Sequence, residues 1–188
     1  MYNISIFFER RCFSMNTKQK KLQRLVFGAM FCALVFAATW ISIPTPTIGN
    51  VNLGDAVILL SAWMLGGVWA VLAAGVGAAL TDLVAGYAIY VPATFLIKAL
   101  MVLVVIGCRR FGSKTPRSDR FWRIVSAVMA EAVMVVGYFL YEALVLKYGW
   151  AAAANIPFNA VQGSLGIVLA IAVYELLIRA GIQISQKK

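Results

Sequence analysis

Residues 50–100 form an almost unbroken apolar run, NVNLGDAVILLSAWMLGGVWAVLAAGVGAALTDLVAGYAIYVPATFLIKAL, with Asn52, Asp55, Asp82 and Lys98 set into it at wide intervals. A soluble chain of 188 residues has too little other material to bury such a run. In a bilayer lipid takes the place of the missing core, and only the polar residues call for explanation. Composition leads the same way: 62% hydrophobic and 13% charged residues, against roughly 45–50% and about 25% in soluble domains. The fold class expected is an all-α membrane protein.

Runs of about 20 apolar residues each span a bilayer once. The first, near 22–42, ends where Pro44 and Pro46 cannot continue a helix. The stretch 51–86 is too long for one span, and Gly66-Gly67 offers a break. Charge bias decides between five spans and six. With spans near 22–42, 52–66, 68–86, 91–108, 122–146 and 158–179, both termini and the 109–123 loop share one side. That side then carries every Lys and Arg except Lys98 and Lys147. Five spans would put Arg109, Arg110, Lys114, Arg117, Arg120 and Arg123 outside, against the positive-inside rule. Six transmembrane helices with both termini cytoplasmic are therefore expected. Residues 1–21 are read as a basic N-terminal segment, with Met15 a plausible start after an upstream extension. Residues 22–180 form the transmembrane domain and 181–188 a basic tail.

The net charge of +10 is spread between apolar runs and not gathered with aromatic partners on a water-facing surface, so no nucleic-acid partner is expected. Cys12, Cys32 and Cys108 are too few and too unevenly spaced for a disulfide framework or a metal site. The absence of histidine removes the commonest general base and metal ligand. No Gly-x-x-x-x-Gly-Lys-Ser/Thr loop is present, so the chain carries no ATPase site of its own, and no cofactor is called for.

Charged groups within spans are costly and are expected to face the bundle interior in pairs. Lys98, about two turns below the outer end of the fourth span, has Glu131 or Glu142 as its expected cross-helix partner. Asn159 with Gln162 extends that polar cluster, and Glu175 is expected to pair with Arg179 at the inner interface. The external connections, 42–54, 86–91 and 147–157, are rich in Pro, Gly, Tyr, Trp and Asn. They read either as walls and lids of a small-molecule pocket or as interfacial turns. Ala29, Ala33 and Ala37 make a flat small-residue face on the first span. Ala70, Ala74 and Ala78 repeat it on the third, where internal packing explains it.

Four strings, VNLGDAVILLSAWMLGG, YVPATFLIKAL, AEAVMVVGYFLYE and IPFNAVQGSLG, resemble the substrate-binding S component of energy-coupling factor (ECF) vitamin transporters, in the riboflavin-type and hydroxymethylpyrimidine-type branch. The resemblance covers roughly residues 22–180. It implies a six-helix subunit of a prokaryotic plasma membrane that captures a vitamin or precursor from outside. It implies docking through the AxxxA pattern of Ala29, Ala33 and Ala37 onto a transmembrane coupling protein, driven by two cytoplasmic ATPases. The implied substrate site is Asn52, Asp55, Tyr90, Thr94, Lys98, Glu131, Tyr138, Glu142, Asn159 and Gln162. Hydroxymethylpyrimidine, pyridoxine-type vitamers and riboflavin all suit these groups, the one-ring compounds being favoured. A stand-alone secondary transporter would show paired inverted repeats, which the two halves lack. A membrane enzyme would need a nucleophile, metal or acid-base set, for which scattered carboxylates make a weak case.

Overall fold

A computed structural model describes residues 16–46, 50–112 and 116–181. The stretch before Met15 and all but the first residue of the basic tail lie outside them. Helix α1, Thr17–Trp40, starts at a capping box in which the Asn16 N–H donates to Gln19 Oε1 at 3.0 Å. It leads into a short antiparallel hairpin, β1 (Ser42–Pro44) and β2 (Asn50–Asn52), paired Ser42 to Asn52 and Ile43 to Val51. Then come α2 (Gly54–Met64), α3 (Gly67–Val84) and α4 (Val91–Gly112). Helix α5 (Pro116–Leu140) widens into a π-helical turn, Tyr141–Val145, and a 3-10 segment, Gly149–Asn155, delivers the chain to α6 (Ile156–Arg179).

The break inside the long apolar run falls at the two expected glycines, both with positive φ, 59° and 62°, which a glycine adopts at no steric cost. Two expectations are corrected. The 42–54 connection is not wholly loop, because residues 42–44 pair with 50–52 as a hairpin, with Pro44, which has no N–H to donate, in an edge strand. Most of the expected 109–123 loop is helix, since α4 runs on to Gly112 and α5 begins at Pro116.

Among the described residues five helices are long and apolar enough to cross a membrane, and α2 is shorter. At about 1.5 Å per residue its 11 residues cover roughly 16 Å, half a hydrocarbon core. The surroundings explain how so short an apolar helix is kept. Helix α2 packs against α1, α3, α4 and α6, and Ile58, Leu59, Ala62 and Trp63 are fully or almost fully buried. It is the core around which the longer helices close, and their outer faces carry the exposed leucines and valines, Leu96, Leu103 and Val168 among them.

Helix contacts rely on small residues, as expected where lipid supplies no hydrophobic force. A Cβ on Gly77 of α3 would lie 2.6 Å from the Cys32 carbonyl of α1, and one on Gly166 of α6 would lie 3.0 Å from Cβ of Asp55 in α2. The two alanine faces part company. Ala70, Ala74 and Ala78 are wholly buried inside the bundle, whereas Ala29, Ala33 and Ala37 are exposed on its outside. Cys32 and Cys108 are free and half-buried.

One end of the bundle is closed by its own charges. Arg109, at the end of α4, donates to Asp119 at 2.8 Å and to the Trp63 carbonyl at 3.2 Å. Arg123 pairs with Asp119 and lies 3.8 Å over the ring of Tyr174, which meets Trp63 edge-on. Glu175 does not serve Arg179: it faces α5, with Arg120 at 3.2 Å and Arg123 at 3.9 Å. Expecting an i, i+4 pair overlooked a neighbouring helix that presents two guanidinium groups to the same carboxylate.

Candidate functional site

At the other end the C-terminal turns of α1, α3 and α5 and the N-terminal turns of α4 and α6 enclose a cavity of about 230 Å³. The β1–β2 hairpin, the 86–90 turn and the end of the 3-10 segment form its rim, with Ser42, Asn50, Asn52, Tyr87, Tyr90 and Asn155 on its wall. All three connections expected outside the membrane thus meet at one site.

Each polar wall group is placed by a local feature. Pro92 in the first turn of α4 has no N–H to satisfy, and Thr94 and Lys98 follow on one face, four residues apart. The Thr94 hydroxyl donates to Asp82 Oδ2 at 2.5 Å. Having a single proton, it accepts from the Tyr138 hydroxyl, 3.0 Å away. Asp82, Thr94 and Tyr138 therefore form one chain across α3, α4 and α5. The π-helical turn at Tyr141–Val145 supplies the next group. Such a turn adds a residue to the helix and re-aims its side chains. Here Glu142 is buried against the cavity while Tyr141 donates to the Ile89 carbonyl in the rim. Glu142 accepts from Asn155 at 2.7 Å and, at a long 3.4 Å, from the Tyr90 hydroxyl. Burial first, and the Glu142 charge second, hold the Tyr90 hydroxyl well above its ordinary range, so it remains a donor.

Below these groups lies a buried ion pair. Lys98 donates to Asp55 Oδ1 at 2.5 Å, and the two side chains are 4% and 0% exposed. Gln162 Nε2 donates to Asp55 Oδ2 at 2.5 Å, and Gln162 Oε1 accepts the Asn52 N–H at 3.1 Å. The partner of Lys98 is thus neither Glu131 nor Glu142 but Asp55, because α2 stands inside the ring, between α4 and α6.

Of the ten residues expected at the site, Asn52, Tyr90, Thr94, Lys98, Tyr138, Glu142, Asn159 and Gln162 line the cavity. Asp55 lies behind Lys98 and Gln162. Glu131 is also behind the wall, 5% exposed, its carboxylate without a hydrogen-bond partner among the described residues and accommodated by Gly163, where a Cβ would sit 2.9 Å from Oε2. Sequence reasoning left out Trp40, Asn155 and Phe158, which lie at helix ends, and Asp82. Asp82 carried a usable signal, being a carboxylate within an apolar run. Among the described residues no group of three or more His, Cys, Asp or Glu side chains is placed to hold a metal ion.

Comparison with known proteins agrees with this architecture. The thiamine precursor transporter HmpT of Lactococcus lactis subsp. cremoris (strain MG1363) is 29% identical over 167 residues, covering 87% of this chain and 92% of that protein. A solved structure described as "Structure and mechanism of the S component of a bacterial ECF transporter" superposes with a TM-score of 0.67 at 22% identity, over 87% of this chain and 99% of the other. The profile of one family, "ECF-type riboflavin transporter, S component", matches residues 19–179. Matched from the first turn of α1 to the last residue of α6, this chain belongs to the family of ECF-type riboflavin transporter S components.

Proposed function

We propose that this chain is the substrate-binding subunit of an ATP-driven importer in a prokaryotic plasma membrane, and that its substrate is a single-ring vitamin precursor of the hydroxymethylpyrimidine type. The observation that carries this reading is the cavity: about 230 Å³, below the roughly 300–1,000 Å³ of pockets for drug-sized ligands, a size that favours a one-ring compound. Two carboxylates, Asp82 and Glu142, and the amides of Asn52, Asn159 and Gln162 face this volume, with Trp40, Tyr87 and Phe158 beside them. Carboxylates accept from an exocyclic amine, amides match ring nitrogens and a hydroxymethyl group, and aromatic rings cover a planar face. The name of the 29%-identical relative, a thiamine precursor transporter, supports the same class.

In this reading the basic end faces the cytoplasm with both termini, and the six helices pass alternately through the membrane, α2 within the protein core. Substrate enters from outside and draws the hairpin, the 86–90 turn and the Gly149–Asn155 segment over itself. The bundle then reorients against a transmembrane coupling protein docked on Ala29, Ala33 and Ala37, with two cytoplasmic ATPases supplying the energy.

The test is thermal denaturation in detergent with hydroxymethylpyrimidine, pyridoxine or riboflavin. A ligand at 100 times its dissociation constant adds about 2.7 kcal/mol of stability. Hydroxymethylpyrimidine is expected to do so, and Glu142→Gln to weaken it by about tenfold or more, as loss of a charged hydrogen-bond acceptor does. A shift with riboflavin alone would overturn the substrate class, and no shift with any of the three would overturn the binding role.

A further inference from the structure

We infer that Gln162 is a positioning residue, one whose amide, oriented by the Lys98–Asp55 ion pair, holds the β1–β2 hairpin down over the cavity. The inference deepens the reading above and rests on it for its consequence in binding, though the tether itself exists without ligand.

A side-chain amide has an acceptor end and a donor end, and turning it over exchanges them. In Gln162 both ends are used, with Nε2 toward Asp55 Oδ2 at 2.5 Å and Oε1 toward the backbone N–H of Asn52 at 3.1 Å. Reversed, the amide would set its oxygen against a carboxylate and its NH₂ against an N–H, losing both bonds and opposing like charges. Asp55 thus dictates which end meets the hairpin, and Lys98, bonded to its other oxygen, fixes where that carboxylate points. All three side chains are almost wholly buried, where such hydrogen bonds are electrostatically stronger than in water.

Other bonds around the second strand run to positions nearer in sequence. Asn52 Oδ1 accepts the Gly54 N–H at 2.9 Å, the Leu53 N–H reaches the Ala38 carbonyl at 3.3 Å, and the two strands pair with each other. A two-stranded hairpin is marginal by itself, so a bond from the distant helix α6 adds to its hold on the bundle. Ser42, Asn50 and Asn52 are wall residues, and Lys98 is floor. A ligand that draws on Lys98 therefore acts, through Asp55 and Gln162, on the strand that covers it.

Amide hydrogen exchange on the unliganded protein in detergent tests the tether. Gln162→Leu should speed exchange across 50–54 by about tenfold, the factor for one lost anchoring hydrogen bond, while amides of α3 and α4 keep wild-type protection. Asp55→Asn should do the same, because an asparagine no longer dictates which way the Gln162 amide faces, and it serves alone if Gln162→Leu does not fold. Ser164→Ala, on the exposed side of the same helix, should change nothing. Wild-type exchange at 50–54 in Asp55→Asn overturns the inference, whichever way Gln162→Leu behaves. With hydroxymethylpyrimidine as probe, the dissociation rate from Asp55→Asn should rise by about the same factor. If this compound fails to bind the wild type, the functional reading falls, and the exchange result still decides the tether.

Discussion

At the cavity end Lys98 and Asp55 make one buried ion pair, and the carboxylates Asp82 and Glu142 face an open volume beside it. At the basic end Arg109, Arg120 and Arg123 meet Asp119 and Glu175 directly, and the ring of Tyr174 lies against Arg123 and edge-on to Trp63. Both ends set charge in apolar surroundings, but at the cavity end the charged groups line a volume that a small molecule can enter. The difference is what supports the proposed site at the cavity end. Cost alone, the signal that a sequence offers, marks both ends equally, whereas charged and amide groups gathered around a cavity of about 230 Å³ mark the cavity end.

The sharpest way to break the comparison is to unpair each end in turn. Lys98→Ala leaves Asp55 as a fully buried charge and should cost about 3 to 5 kcal/mol, measured by thermal denaturation in detergent. The double substitution Lys98→Met with Asp55→Leu should recover most of that stability, since an apolar replacement for a buried ion pair is often neutral. Ligand binding should not recover with it. If it did, the pair would be scaffolding and the two ends would be alike. Arg123→Met at the other end leaves Asp119 with Arg109 and Glu175 with Arg120. The expected loss is therefore smaller, roughly 2 to 3 kcal/mol for the ionic contacts and the Tyr174 stack together. Ligand affinity of the folded fraction should stay at the wild-type value, and a fall of tenfold would show that the ends communicate.

Packing between the ends comes next in size. Gly77→Ala sets a Cβ against the Cys32 carbonyl, a backbone atom that does not move without α1. A cost of about 1 to 2 kcal/mol is expected from overpacking. Because Cys32 is less than three turns from Trp40 on the cavity wall, some loss of affinity should accompany it. Stability loss without any change in binding would show that α1 tilts without carrying its cavity end along.

How far the sequence reveals this molecule follows from what each signal depends on. The helix break at Gly66-Gly67 is legible because two adjacent glycines are a local property. That intramembrane charges lie inside the bundle is legible because exposure to lipid is too costly whichever helices are neighbours. The partner of Lys98 is not legible, since Asp55 becomes its neighbour only once α2 is inserted into the ring. A helix of 11 residues looks in the sequence like one more lipid-facing segment. The turn that aims Glu142 into the cavity, YEALV, contains neither Pro nor Gly to announce it. Three-residue strands are too short for an alternating pattern to register, so the hairpin reads as a loop. Spacing is equally silent on the alanine faces: the same i, i+4, i+8 pattern is buried on α3 and bare on α1.

That last contrast gives the prediction with the smallest effect on the isolated protein. Ala33 stands exposed between Ala29 and Ala37, with Met30 and Leu34 also outward on α1. Ala33→Leu adds apolar volume on an exposed face of α1, so stability in detergent should stay within about 0.5 kcal/mol of wild type and ligand affinity should be unchanged. The same leucine stands between α1 and any helix that must approach its backbone closely. In vesicles with the proposed coupling protein and ATPases, uptake should fall by about tenfold, corresponding to about 1.4 kcal/mol of lost association. Full uptake by Ala33→Leu would assign the bare alanine face to lipid, and the small residues of α1 would then have no more to do with transport than those of α3.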